Sequence, residues 1–177
     1  MLTLKNQNLR LPTKQIKFTH VLGAQLLADK LYAFMKKNNG LGLAANQVGL
    51  RDSVFVMEVD GVRYDVFNPE FLLHDLHPIL VNGSEGCLSY PGEAVDVVRY
   101  DSIHVRYYNA DGNVIENDLH GLTARVYQHE LDHLHGITMH DRKKMQEAKA
   151  RRDIKDAENA AIKANNSVTV EMGVKDD

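Results

Sequence analysis

The segment Leu122–His135 reads as a helix without a wet side. Leu122, Val126, His129 and His133 fall at i, i+4, i+7 and i+11 on one face, Tyr127, Leu131 and Leu134 cover another, and Gly136 supplies the stop. A helix that is apolar over most of its circumference has to be enclosed, so the rest of the chain is expected to pack around it. Two histidines on its inner stripe then need a reason, because a buried imidazole must find a partner.

The remaining segments indicate what encloses it. A helix is predicted over His20–Asn39, with Thr19 as N-cap, Asn39-Gly40 as a left-handed stop, and Leu22, Leu26, Leu27, Leu31 and Phe34–Met35 as its apolar stripe. A loop over Gly40–Gly49 follows, then a hairpin of Ser53–Val59 and Val62–Phe67 around the turn dipeptide Asp60-Gly61. Ala94–Val98, Ser102–Tyr108 and Val114–Leu119 read as further strands, and in Ser102–Tyr108 the apolar Ile103, Val105 and Tyr107 alternate with polar neighbours. A third helix is expected from about Asp141 to Asn165, followed by a short strand or loose tail over Ser167–Met172 and beyond. The order predicts an α+β fold: a mostly antiparallel sheet around a central buried helix, plus an N-terminal and a C-terminal helix.

Composition removes several classes. A chain of 177 residues that is 44% hydrophobic and 25% charged has material for one core and is not wholly disordered. No window approaches the roughly 20 apolar residues of a membrane helix, and the start, MLTLKNQNLRLPTKQ, lacks the apolar stretch of a secretory signal. The expected compartment is the cytoplasm, with no membrane partner. A net charge of −3 and a pI near 6.3 give no overall pull toward DNA. The one cysteine, Cys87, excludes an internal disulfide and leaves a buried thiol, a reactive thiol or a metal ligand.

The chemistry-bearing residues lie in three blocks. In His129-Glu130-Leu131-Asp132-His133 the histidines sit four apart on a helix and can grip one ion, with Glu130 beside that face; the plain alternative is two core histidines held by hydrogen bonds. Cys87, in Glu85-Gly86-Cys87-Leu88-Ser89 just after a predicted strand, could be a third ligand. A thiolate with two imidazoles suits Zn²⁺ or Fe²⁺ and leaves one position open, as a catalytic site requires. Gly40-Leu-Gly-Leu-Ala-Ala-Asn-Gln47 lacks the context of a dinucleotide loop but suits close approach of backbone to a ligand, with Gln47 offering an amide.

GLGLAANQ, EGCLS and HELDH, in this order, resemble the motifs of the peptide deformylases, and the resemblance spans roughly Leu9 to Arg142. It implies a catalytic domain over residues 1–142; beyond it the resemblance does not reach, and the Ala-, Lys-, Arg- and Glu-rich composition is read as a charged helix and tail over 143–177. The resemblance implies one divalent ion held by Cys87, His129 and His133, Fe²⁺ first, with Zn²⁺, Ni²⁺ or Co²⁺ as substitutes. It implies hydrolysis of the N-formyl group of nascent N-formyl-methionyl peptides, with release of formate: metal-bound water attacks the formyl carbon, and Glu130 is general base and then acid. Gln47 and the backbone N–H of Leu88 would form the oxyanion hole. Gly42 would let an extended peptide pair with the loop; Leu41, Gly86, Leu88 and Val126 would contact the substrate, with Arg125 at the pocket edge. Glu85 and Arg99 would be an ion pair behind the ligands. Asn46 stands where many relatives have Pro or Thr, and Arg125 is more polar than a pocket wall suggests.

Two rivals remain at this point. A metalloprotease would need His135 or His140 as third ligand in place of Cys87, and a binding protein that has kept the fold would have no use for Glu130 and Gln47. The C-terminal helix carries seven basic residues between Arg142 and Lys155 against Glu147 and Asp153, which fits either a solvated helix or docking on ribosomal RNA near the nascent-chain exit, as in some relatives.

Overall fold

A computed structural model describes residues 2–5, 9–17, 21–72 and 78–172. The Thr19 cap, the start of the first helix at His20 and the tail beyond Met172 lie outside the described residues. Inter-residue contacts divide the chain into a unit Met1–Arg142 and a unit Lys143–Asp177.

The first helix, α1, runs Val21–Lys37 and ends where Asn39 turns left-handed at φ 55° and Gly40 N–H reaches back to Met35 O. Its buried positions are Ala24, Ala28, Leu31 and Met35, at i, i+4, i+7 and i+11. This corrects the expected stripe: Leu22 is 76% exposed and Leu26 53%. Leu31 and Met35 of that stripe are buried, but they share the buried face with the small Ala24 and Ala28, and Leu22 and Leu26 point outward.

The stretch expected as a loop is partly ordered. Gly42–Ala44 is a short strand, β1, and Ala45–Val48 a single 3-10 turn closed by Gly49 at φ 88°. Strands β2 (Val54–Val59) and β3 (Val62–Leu72) form the predicted hairpin, with Asp60 and Gly61 both at positive φ, as its two-residue turn demands. β3 is longer than predicted because a bulge between Phe67 and Glu70 lets it turn and continue; there Asn68 bonds both backbone groups of Ile16 and ties down the N-terminal segment.

β6 (Ser102–Tyr108) and β7 (Val114–His120) complete an antiparallel five-stranded sheet in the order β1-β2-β3-β6-β7. β4 (Leu80–Cys87) and β5 (Tyr90–Tyr100) form a separate two-stranded hairpin. Glu85, Gly86 and Cys87 therefore end a strand instead of following one, and a register shift at Gly86/Cys87 re-aims the cysteine just before the tight turn at Leu88-Ser89.

Helix α2 (Gly121–Leu134) buries Ala124, Val126, Tyr127 and Leu134, and with them the polar Gln128, His129, Glu130, Asp132 and His133. Tyr127 stands edge-on to Phe55 of β2, ring centres 5.0 Å apart, inside the apolar cluster that joins α2 to the five-stranded sheet. Helix α3 (Met139–Met172) starts two residues earlier than expected and continues through Ser167–Met172, where a strand or loose tail was expected. Among the described residues no helix is long and apolar enough to cross a membrane.

Candidate active site

α2 brings His129 and His133 one turn apart, rings 4.7 Å between centres and perpendicular at 89°. The bulged end of β4 brings Cys87 to them, with Sγ 3.3 Å from His133 Nε2. One ligand atom from each of the three lies within 4.8 Å of the others. His133 is kept neutral, because burial, and then the neighbouring His129, push its pKa well below the ordinary value. Burial pushes the His129 pKa down, but its hydrogen bonds to Cys87 and Glu85 outweigh this and raise it to about 10, so an ion bound here would displace a proton from His129. Sulfur, nitrogen and nitrogen at this spacing suit a divalent ion such as Zn²⁺ or Fe²⁺. His140 takes no part: its Nε2 faces Glu93 Oε2 at 3.0 Å and its ring stands against Tyr90. Neither His140 nor His135 joins the three-donor group.

His129 is aimed by its other ring nitrogen, Nδ1, which meets Glu85 Oε2 at 2.9 Å. Glu85 is in turn gripped by Arg99 through two bonds of 2.9 Å and by Arg125 Nη1 at 2.8 Å. Burial pushes the Glu85 carboxyl up, but the His129 and Arg99 hydrogen bonds outweigh it and hold the pKa near 2. The expected Glu85–Arg99 pair is therefore part of a larger network. Arg99 Nη1 also donates to Asp132 Oδ2 at 2.5 Å, and Asp132 takes Arg142 Nε at 2.9 Å. Asp132 and Arg142 escaped the sequence reading, although an aspartate on an apolar helix was a signal that a buried cation must face it.

Glu130 lies on α2 between the histidines and is 3% exposed. Its Oε2 has no hydrogen-bond partner among the described residues. Burial is the largest influence on it and, with Glu85, outweighs His129, so its pKa rises to about 7. The carboxylate rests against Gly42: a Cβ there would come 2.3 Å from Glu130 Oε1. Room for Glu130 is thus the first demand on Gly42, ahead of the backbone pairing expected of it.

Gln47 accepts the Ala44 N–H on Oε1 at 2.8 Å, which turns its amide nitrogen toward Ser89 Oγ at 3.1 Å and Cys87 Sγ at 3.6 Å. Gln47, Leu41, Gly42, Gly86, Cys87, Leu88, Val126, His129 and Glu130 all border one cleft of about 580 Å³. Arg125 borders it as well, but its guanidinium faces the β4–β5 hairpin, where it meets carbonyls of Val81, Gly83 and Val97. Arg125 thus lies at the cleft's edge, as expected, with its guanidinium spent on clamping the hairpin.

Residues 1–149 match the family profile described as "Polypeptide deformylase". The chain belongs to the peptide deformylase family. It is an enzyme of that family, whose members are metal-dependent and remove the N-formyl group from newly made polypeptides. The deformylase of Thermotoga maritima is 41% identical over 114 residues, which are 64% of this chain and 68% of that one. That of Aquifex aeolicus is 37% identical over 145 residues, 78% of this chain and 83% of that one. The crystal structure of the T. maritima deformylase superposes with a TM-score of 0.75 at 35% identity, covering 80% of this chain and 97% of that one.

Within this deformylase chain Asn46 has a structural task that the sequence reading missed. Its side-chain nitrogen donates to Leu9 O at 3.3 Å and to the carbonyl of His133. Asn46 thereby ties the end of α2 to the 3-10 turn that carries Gln47, a bond that Pro could not make.

Proposed function

We propose that the chain deformylates the N-terminal methionine of newly made polypeptides at a centre formed by Cys87, His129 and His133. The observation that carries this reading is the meeting of a thiol, two imidazoles and a buried carboxylate with one oxygen unpaired at one cleft. The ion we assign is Fe²⁺, with Zn²⁺, Ni²⁺ and Co²⁺ as substitutes; when bound, it supplies a Lewis acid that acidifies water and polarises a carbonyl. The cytoplasm is the matching compartment.

Glu130 takes the proton from the attacking water, a task its raised pKa of about 7 suits near neutral pH. The water oxygen bonds to the formyl carbon, the C–N bond to the methionine nitrogen breaks, and Glu130 returns the proton to that nitrogen, so formate and a free amine leave. Negative charge growing on the formyl oxygen is met by Gln47 Nε2 and the backbone N–H of Leu88, donors of a kind worth roughly 10²–10³ in rate. Glu85, held by Arg99, keeps His129 oriented. Among the described residues β1 pairs on one side only, with β2, which leaves an edge along which an extended peptide can add at Leu41–Gly42. Leu41, Gly86, Leu88 and Val126 then surround the methionine side chain, with the stem of Arg125 beside them.

The decisive assay is amine release from a formyl-methionyl tripeptide by protein loaded with Fe²⁺ or Ni²⁺, before and after chelation. Turnover that chelation abolishes and metal restores supports the reading; no turnover with any of the four ions overturns it. We read residues 143–177 as an appendage to the catalytic domain 1–142. Its exposed basic residues, among them Lys143, Lys144, Arg151, Arg152 and Lys155, suit phosphate contacts with ribosomal RNA. Ribosome co-sedimentation at low salt that survives deletion of residues 143–177 would remove that partner.

A further inference from the structure

We propose that Arg125 is a positioning residue that sets the cleft's selectivity for the side chain of the N-terminal residue, by clamping the β4–β5 hairpin to α2 at a fixed distance. The inference rests on the deformylase reading above. The two walls of the cleft belong to pieces that share no strand pairing. Gly86 and Leu88 lie on the hairpin, Val126 on α2, and the hairpin is separate from the five-stranded sheet. The width between those walls must therefore be set by side chains that cross from one to the other.

Arg125 crosses on the cleft side. Its guanidinium donates to Val81 O at 2.7 Å, Gly83 O at 3.2 Å and Val97 O at 2.9 Å, and to Glu85 Oε1 at 2.8 Å. The three carbonyls come from both strands of the hairpin, so the planar head fixes the hairpin's position as a single-point donor such as lysine could not. β4 has been fitted to it. Gly83 runs so close that an added Cβ would lie 3.0 Å from both Cζ and Nη2 of Arg125. Gly83 is paired across the hairpin with Val97, whose carbonyl the same guanidinium takes. Arg125 and Gly83 thus form a matched pair, one supplying the head and the other the space.

This clamp is separable from the metal ligands. Without Arg125, Glu85 keeps both bonds to Arg99 and its contact with His129 Nδ1. Losing the clamp should loosen the wall that meets the substrate side chain while His129 keeps its partner. Hydrophobic pockets tell apart side chains that differ by a methylene by roughly 10–200-fold, and that discrimination depends on close fit.

The test uses the full, metal-loaded chain and two otherwise identical tripeptides, formyl-Met and formyl-Ala. In Arg125→Met, which keeps a stem but no donors, the Met-over-Ala ratio of kcat/KM should fall about tenfold. The change should come chiefly through a higher KM for the Met peptide, with the parent's metal content retained by elemental analysis. Arg125→Lys should recover part of the preference. Gly83→Ala should lower the preference in the parent and add nothing in Arg125→Met, where no guanidinium is left to displace. A preference within about twofold of the parent in Arg125→Met, whatever its melting temperature, overturns the inference, as does a Gly83→Ala effect of equal size in both backgrounds. Should Arg125→Met fail to fold, Gly83→Ala alone decides: an unchanged preference overturns the proposal and a lowered one supports it. A parent that turns over neither peptide refutes the deformylase reading itself, whereas an active parent with unmoved variants refutes only the role of Arg125.

Discussion

Helix α1 packs on β1, β2 and β3 through Ala24, Ala28, Leu31 and Met35 against Leu43, Val54, Val56 and Phe67. The β4–β5 hairpin meets α2 differently. Tyr100 packs on the cluster that holds Ala124, Val126 and Tyr127, Val95 and Val97 pack on Met139 of α3, and the main crossings to α2 are polar: Glu85 and Arg99 with His129, Arg125 and Asp132. Buried ion pairs hold no tighter than apolar packing of similar volume and are costly when broken. What they add is direction. A dry interface can settle by tenths of an ångström without loss, but a thiol and two imidazoles that share one ion cannot. The hairpin side has the geometry of a ligand holder and the α1 side that of a scaffold.

The largest effect that separates them should come from the cleft residues themselves. Glu130→Gln keeps size but cannot carry a proton, so kcat/KM should fall by roughly 10²–10⁴ while bound metal stays at the parent's level. Cys87→Ala should lose both metal and turnover. Parallel elemental analysis and peptide kinetics read the split. A Glu130→Gln variant active within about threefold of the parent would leave the proton to another base.

Next in size are two truncations, one on each side. Arg99→Leu leaves Glu85 and Asp132 each short of a buried partner and should cost about 3–5 kcal/mol in urea unfolding. Leu31→Ala opens a cavity under α1 and should cost about 2–5 kcal/mol. The comparison sharpens in the folded fraction: Leu31→Ala should keep the parent's metal content and kcat, whereas Arg99→Leu should lose metal because Glu85 no longer fixes His129. Equal metal retention in both would dissolve the distinction between holder and scaffold.

Acid should act on the holder before the scaffold. Burial opposes ionisation of Glu85, yet the His129 and Arg99 hydrogen bonds overcome it and lower its pKa from 4.5 to about 2. The folded protein therefore binds this proton more weakly than the unfolded chain. The stability that Glu85 contributes is complete above about pH 4.5 and is lost as pH falls toward 2. Amide exchange near pH 3 should accelerate in β4–β5 more than in β2–β3, and Glu85→Gln should flatten the pH dependence of unfolding in that window. Uniform acceleration across both regions would argue against a local origin.

How far the sequence carried differs between the same two regions. The site residues named from the three motifs border the cleft, Glu85 among them, except His133, which stands directly behind it as Arg99 does. The β2–β3 turn was legible because Asp60-Gly61 has few other uses. Asp132, Arg142 and the full reach of Arg125 were not: an aspartate on an apolar helix signals that some cation must face it, but nothing local says which residue of a distant strand that is. Arg99 lies 33 residues from Asp132, and Val81 lies 44 from Arg125. The buried face of α1 was misread for the opposite reason. Periodicity alone could assign two neighbouring faces, and leucine outweighs alanine on any hydrophobicity scale.

The smallest predicted effect tests that misreading. If α1 buried the face of Leu22 and Leu26, Leu26→Ala would open a core cavity and cost about 2–5 kcal/mol. In the fold observed, Ala24 and Ala28 face the sheet and Leu26 is 53% exposed. Leu22→Gln and Leu26→Ala should then each change stability by no more than about 0.5 kcal/mol. Ala28→Leu, with no space at a residue that is 0% exposed, should destabilise by about 1–3 kcal/mol through overpacking. The three variants form a set whose rank order inverts between the two faces. A loss at Leu26 larger than that at Ala28 would turn α1 toward Leu22 and Leu26 and take Ala24 and Ala28 out of the core.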